Sequence, residues 1–239
     1  MQQFVFGDIH GCLDELSTLM RALPLGSGDT VAFLGDYVDR GPDSRGVVDF
    51  IIDLKDNADY NIACLKGNHE DMLLSFLGLG GNHGEMFLLN GGTATLTSYG
   101  VNPRGKPAVD AMKFMSAVPD RHLEFFKNLE TFRFLDDFLC VHAGIQPLRS
   151  LSEQIEEEMI WIRDEFIQNP HPLPHTVLFG HTPMEQVFFH LPYKVGLDTG
   201  LVYGNLLSCL EISSKTLFQI KKGKKAVVTT SVAHHWEQV

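Results

Sequence analysis

Three short stretches in the first third of the chain set carboxylates, imidazoles and an amide beside glycine: Gly7-Asp8-Ile9-His10-Gly11, Gly35-Asp36-Tyr37-Val38-Asp39-Arg40-Gly41 and Gly67-Asn68-His69-Glu70. Each follows an apolar run, and each glycine stands where the backbone must turn sharply beside a polar residue. Two more histidines close apolar runs in the second half, His142 in Leu139-Cys140-Val141-His142-Ala143-Gly144 and His181 in Leu178-Phe179-Gly180-His181-Thr182-Pro183. Carboxylate, imidazole and amide oxygen together suit borderline or hard divalent metals, and the absence of cysteine from the three turns speaks against structural zinc. A lone Gly-Asp turn is usually only a turn, and one Asp-Arg pair is usually a surface ion pair. Five such elements in one chain carry the metal reading.

The elements that must position these residues follow from periodicity. Buried strands are expected at Gln3 to Phe6, Thr30 to Leu34 and Asn61 to Leu65. Between and after them, helices are expected at Leu13 to Leu23, at Ser44 to Leu54 with Ser44 as its cap, and at Glu70 to Leu77. In such an α/β alternation the loops at the carboxyl ends of the strands converge on one crevice. The Gly-rich segment from Gly78 to about Gly105 reads as loops or a small cap that forms one wall of the substrate cleft. Further on, a helix at Arg121 to Leu129, a hairpin of Phe132 to Leu135 and Phe138 to Val141, a helix at Glu156 to Ile167 and a mainly strand-forming stretch from Thr176 to about Thr230 are expected.

Composition narrows the class. The chain has 239 residues, 44% of them hydrophobic, with 19 Lys+Arg against 30 Asp+Glu for a net charge of -11. That is a folded protein able to bury a sizeable core; disorder and fibrous classes are excluded. The only basic cluster, Lys221, Lys222, Lys224 and Lys225, reads as a solvated turn, so neither nucleic acid nor an anionic membrane is an expected partner. Cys12, Cys64, Cys140 and Cys209 form no C-x-x-C pair and no disulfide framework. The N-terminal residues lack the charged n-region of a signal peptide, no apolar run approaches the ~20 residues of a membrane helix, and a reducing cytoplasm is the expected compartment.

The ordered set of the three turns, then His142 and His181, resembles the calcineurin-like metallophosphoesterases, and among them the compact phage and bacterial members of the phosphoprotein (Ser/Thr) phosphatase family. The resemblance spans residues 7 to about 200. It implies a four-layer α/β/β/α sandwich with two mixed β-sheets, formed by one catalytic domain over 1–239. It also implies two divalent metal ions, manganese foremost with iron, zinc or magnesium as alternatives. Asp8 and His10 would bind the first metal, Asp36 would bridge both, and Asn68, His142 and His181 would complete the second site. Asn68 and Arg40 would face the substrate phosphate, His69 would donate a proton, and Asp39 would orient His69. A second arginine clamp is implied between the last two histidines, for which Arg163 in Trp161-Ile162-Arg163 is the best match and Arg149 the alternative.

These residue types fit hydrolysis of a phosphate ester by direct in-line attack of a hydroxide held by two metals, with no covalent phosphoenzyme. The leading expectation is a metal-dependent phosphomonoesterase acting on phosphorylated protein, on Ser/Thr first and on Tyr as a further target. The rival is a symmetrical dinucleoside polyphosphate (diadenosine tetraphosphate) hydrolase, a small-substrate enzyme of similar size and motifs. Those enzymes typically carry another residue at the position of Asp39 and Asp at that of Glu70, which favours the phosphatase. A non-catalytic binding module is disfavoured because every expected ligand, acid and arginine position is filled. His83, His122, His171, His175, His190, His234 and His235 lack motif context and read as surface or hydrogen-bonded structural residues. Asp198-Thr199-Gly200 reads equally as an ordinary turn or as support for the metal site.

Overall fold

The computed structural model describes residues 1–238. Two mixed sheets stack face to face between two layers of helix. The first sheet has the order β11-β10-β9-β1-β2-β3. Its parallel half is β1 (Gln3–Phe6), β2 (Thr30–Phe33) and β3 (Asn61–Cys64); its antiparallel half is β9 (Leu206–Glu211), β10 (Thr216–Lys221) and β11 (Val227–Ser231). The second sheet has the order β4-β5-β6-β8-β7. It combines the hairpin β4 (Phe132–Leu135) and β5 (Phe138–Val141) with β6 (Thr176–Phe179), β7 (Phe188–His190) and β8 (Lys194–Gly196).

The period of two along each strand divides the interior into three apolar layers. In β1, Phe4 and Phe6 face outward against α1 (Leu13–Ala22) and α2 (Ser44–Asn57), with Leu16, Leu19, Val48 and Ile51. Val5 faces the other way and joins Ala32, Leu34, Ala63 and Leu65 against Cys140, Leu178 and Val195 of the second sheet. The remaining faces of β5 and β6, Leu139, Val141, Val177 and Phe179, are covered by Met159 and Phe166. Each such buried Leu, Val or Phe contributes about 1.5–3 kcal/mol relative to exposure. The outcome is the four-layer α/β/β/α sandwich with two mixed sheets.

The structure departs from the sequence expectation in four places. Asp43, not Ser44, caps α2, its Oδ1 accepting from the Gly46 N–H at 2.8 Å; the Ser44 hydroxyl is drawn away to accept from Asp39 N–H. The helix after the third strand, α3 (Asn68–Phe76), begins two residues before the expected Glu70, so Asn68 and His69 lie in its first turn. The Gly-rich segment folds into a turn at Leu88–Gly92 and a short α4 (Thr93–Ser98), and the unanticipated α5 (Pro107–Ala117) follows, with Pro107 opening it. The helix after Pro119 is α6 (Asp120–Lys127). The expected helix at 156–167 is broken into α7 (Glu156–Trp161) and α8 (Asp164–Gln168) around Arg163 at φ −131, ψ −105. Tertiary bonding explains the break, because Met159 O accepts from the Ala143 N–H at 2.8 Å and ties α7 to the turn after β5. No helix among the described residues is long and apolar enough to cross a membrane.

Candidate metal centre

The turns after β1, β2, β3, β5 and β6 meet in one crevice. Two glycines are required there by close approach. A Cβ on Gly67 would sit 2.1 Å from Asp36 Oδ1, and one on Gly180 would sit 2.1 Å from Asp8 Oδ1. Both glycines let backbone pass against a carboxylate. The non-glycine residues His10, Asp36, Asp39, Arg40 and His181 all have positive φ, between 47° and 72°.

Asp36 is the hub. Its Oδ2 lies 3.4 Å from His10 Nε2 and 3.9 Å from His69 Nε2, and its Oδ1 lies 3.3 Å from His142 Nε2. Two donor groups share it: His10, Asp36 and His69 on one side, Asp36, His142 and His181 on the other, the ligand atoms of each within 4.8 Å of one another. Asn68 Oδ1 completes the second group at 3.0 Å from His142 Nε2 and 2.9 Å from His181 Nδ1. The rings are aimed from behind. His10 Nδ1–H donates to Val38 O and His142 Nδ1–H to Leu34 O, both at 2.8 Å, which leaves each Nε2 facing the crevice. His181 Nε2 is buried without a hydrogen-bond partner. His181 Nδ1 and His142 Nε2 meet at the Asn68 amide oxygen beside the Asp36 carboxylate, and two imidazole nitrogens, an amide oxygen and a carboxylate are a donor set that fits a divalent cation.

Charge follows from this crowding. Burial pushes Asp36 up, but the imidazoles of His142, His69, His10 and His181 outweigh it and hold the carboxyl well below its ordinary range. Burial lowers His10 to about 3, with His69 and Arg40 adding to the effect. His181 is lowered by burial, then by His142 and Arg163. Both imidazoles are therefore neutral, the form that ligates a metal. Asp8 is raised by burial and by the nearby carboxylates of Asp198 and Asp36.

Asp8 is the expected ligand that stands apart. Its carboxylate accepts from the His181 N–H at 3.1 and 3.0 Å, beside the His10–Asp36 group rather than within it. Arg40 occupies that side instead, with Nη1 2.5 Å from His10 Nε2. Of the two candidate clamps, Arg149 is engaged by Glu158 Oε2 at 2.5 Å, whereas the charge of Arg163 is felt by both His142 and His181. Asp198 Oδ1 accepts from the Gly200 N–H at 2.9 Å, so it serves a turn as well as lying near Asp8. His122 bonds Tyr99 and Asp49, and His171 bonds Tyr193 O, consistent with structural roles.

His69 and Asp39 form a separate unit. His69 Nδ1–H donates to Asp39 Oδ2 at 2.6 Å. Burial alone would depress the imidazole, but Asp36 and the Asp39 hydrogen bond raise it above its ordinary range. Two supporting residues escaped the sequence reading. The Thr95 hydroxyl donates to Asp39 Oδ1 at 2.6 Å and accepts from Asp39 N–H at 2.8 Å. Glu70 accepts from the N–H groups of Asp36, Tyr37, Val38 and Gly67 and so fixes the second and third turns together. Glu70 had a local signal, a glutamate three residues into a helix behind a glycine cap. Thr95 had none.

A family model described as calcineurin-like phosphoesterase matches residues 1–206. The bis(5'-nucleosyl)-tetraphosphatase [asymmetrical] of Geobacillus thermodenitrificans is 25% identical, over 90% of this chain and 92% of its own. A solved structure of a candidate diadenosine tetraphosphatase superposes with a TM-score of 0.69 at 24% identity, over 92% of this chain and 93% of that one. A cold-active protein tyrosine phosphatase superposes with a TM-score of 0.62 at 17% identity, over 95% and 78%. At these identities the two structures speak for the fold. The family match runs from β1 to the first residue of β9 and takes in every turn that meets in the crevice, so the chain belongs to the calcineurin-like phosphoesterases, hydrolases of phosphoester bonds.

Proposed function

We propose that the chain is a metal-dependent hydrolase of dinucleoside polyphosphates, bis(5'-nucleosyl) tetraphosphates foremost, working as one catalytic domain over 1–239. The observation that carries the substrate class is the end-to-end likeness to proteins bearing that name. It moves the reading away from a protein phosphatase, which the motifs put first. The single domain is supported by β9–β11, which continue the sheet of β1 largely beyond the family match.

In this reading His10 and Asp36 would hold one divalent ion, with Asp8 joining them from its place beside the group, and Asp36, Asn68, His142 and His181 would hold a second, with manganese as the first choice. Bound there, the two ions supply Lewis-acid charge and activate water at neutral pH. The chain's own residues do the rest. Arg40, with Arg163 and Asn68, engages the non-bridging oxygens of the phosphate, the guanidinium groups by forked hydrogen bonds that orient it for in-line displacement. His69 carries a proton on Nε2 toward the leaving oxygen, and Asp39 holds the imidazole charged and aimed.

The His69–Asp39 pair also supports a second reading, hydrolysis of phosphomonoesters on protein, because an alkoxide leaving group needs a proton more than a nucleotide phosphate does. One assay decides. With Mn²⁺ present, kcat/KM is compared for diadenosine tetraphosphate, a phosphoserine peptide and p-nitrophenyl phosphate. Preference for the dinucleotide is expected, and preference for the peptide would replace the proposal with the second reading.

A further inference from the structure

A large aromatic side chain stands uncovered at the rim of the crevice. Tyr203 is 64% exposed and packs into no core layer, while its neighbour Leu201 is buried. The turn that carries it is short and tightly held between Gly200 and Gly204, both at positive φ. Gly200 O accepts from the N–H groups of Tyr203 and Asn205, and Asn205 Nδ2 donates to Glu185 O at 2.9 Å. The ring is thus presented on a fixed support rather than on a loose loop.

Its neighbour is informative. The Arg40 guanidinium carbon lies 5.6 Å from the Tyr203 ring centroid, while Nη1 of the same group is 2.5 Å from His10 Nε2. The Arg40 backbone is held by its N–H, which donates to Gly91 O. One guanidinium therefore separates an exposed aromatic face from the metal centre. A phosphate gripped by Arg40 would bring whatever it is esterified to within reach of that face. Tyrosine at such a place offers a rigid π surface at low entropic cost, and every nucleobase has a π face to stack on it.

We infer that Tyr203 is a specificity-determining residue, the stacking platform for one nucleobase of the substrate. This rests on the proposed dinucleoside polyphosphate reading and adds to it the residue that would distinguish a nucleotide from a bare phosphoester. The base contributes to binding and takes no part in bond breaking, so its loss falls on KM rather than on kcat.

The test uses the Mn²⁺-loaded full chain, Tyr203→Ala and Tyr203→Phe, with diadenosine tetraphosphate and p-nitrophenyl phosphate as substrates and ADP and inorganic phosphate as inhibitors. In Tyr203→Ala the ratio of kcat/KM for the dinucleotide to that for p-nitrophenyl phosphate is expected to fall about tenfold, within the range measured for one stacked base. The fall should lie in KM. ADP inhibition should weaken by a similar factor relative to phosphate inhibition, and Tyr203→Phe should restore both. An unchanged ratio with unchanged relative ADP inhibition would overturn the inference, as would equal losses on both substrates, which would make Tyr203 a mere support for Arg40. If the wild type fails to hydrolyse the dinucleotide, the substrate proposal fails, and the ADP comparison alone still decides whether Tyr203 meets a base.

Discussion

Replacing Thr95 by valine isolates the support behind the proposed proton donor. Valine keeps the volume of this fully buried side chain and removes only its hydroxyl. Asp39 Oδ1 then loses its 2.6 Å hydrogen bond, while Asp39 N–H keeps Ser44 Oγ at 3.1 Å. A hydrogen bond to a charged group contributes about 1.5–3 kcal/mol, and among the described residues no other side chain bonds Asp39 Oδ1. The cost to stability is expected near ~2 kcal/mol, a fall in Tm of about 4–8 °C for a chain of this size. Burial already raises Asp39 against the pull of its His69 and Thr95 hydrogen bonds, so removing one raises it further and weakens its hold on the His69 proton. If about two thirds of the loss reaches the transition state, kcat on an alkyl phosphomonoester falls about tenfold. On p-nitrophenyl phosphate, whose leaving group needs little protonation, the fall should be about two- to threefold. The assay is kcat against leaving-group pKa at saturating Mn²⁺, beside thermal unfolding. Equal losses on every leaving group, or a lowered Tm with no loss at all, would refute the chain from Thr95 through Asp39 to His69.

Other expectations follow from the same crevice. Gly67→Ala drives a Cβ into Asp36 Oδ1 and backbone N, so metal content per chain should drop well below that of the wild type; full occupancy by elemental analysis would contradict the packing. Glu70→Gln confronts four backbone N–H groups with one acceptor oxygen, and urea unfolding should register a loss of about 2–3 kcal/mol. His69 is raised above its ordinary value by Asp36 and the Asp39 hydrogen bond, so activity on alkyl phosphates should decline as pH rises through that elevated pKa. The stability it lends is likewise full below its unfolded pKa and lost as pH climbs through the folded one. His69→Asn should flatten this alkaline limb while retaining metal, and an unaltered profile would remove His69 as the acid. Arg163→Ala should weaken inhibition by inorganic phosphate several-fold and Arg149→Ala should not; the reverse would make Arg149 the clamp.

The first half of the fold was legible because its information is local. Phe4 and Phe6 against Val5, and Val47, Val48 and Ile51 on one helical face, report burial through spacing alone, and the strand-turn-helix order then places the polar turns at one end of the sheet. The convergence of the polar turns on one crevice was legible for the same reason, since Asp8, His10, Asp36, Asn68 and His69 sit within a residue or two of the glycines that turn them inward. What could not be read depends on partners far along the chain. The break between α7 and α8 is imposed by a bond from Met159 O to the turn after β5, and Thr95 acquires its role from an aspartate 56 positions earlier. The carboxylate of Asp8 could be placed near the site from its motif, but that it rests on the His181 backbone amide is a fact of the two sheets meeting. Substrate was the least legible, because Asp39 and Glu70, which favoured a protein phosphatase, serve His69 and the turns and touch nothing that identifies the group beyond the phosphate.

The left-handed backbone at His10, Asp36, Asp39, Arg40 and His181 carries a consequence for how such a protein can change. Each of these side chains sits where an L-residue costs about 1–2 kcal/mol over the right-handed region, and glycine would relieve it. Selection for heat tolerance alone would therefore find stabilising replacements at the very positions to which the proposed function gives metal, phosphate or the support of His69, and on that proposal each would silence the enzyme. Hardier variants that keep activity should gather their gains elsewhere, in the surface helices and the strands beyond β9, leaving the strained backbone of the proposed centre as it is.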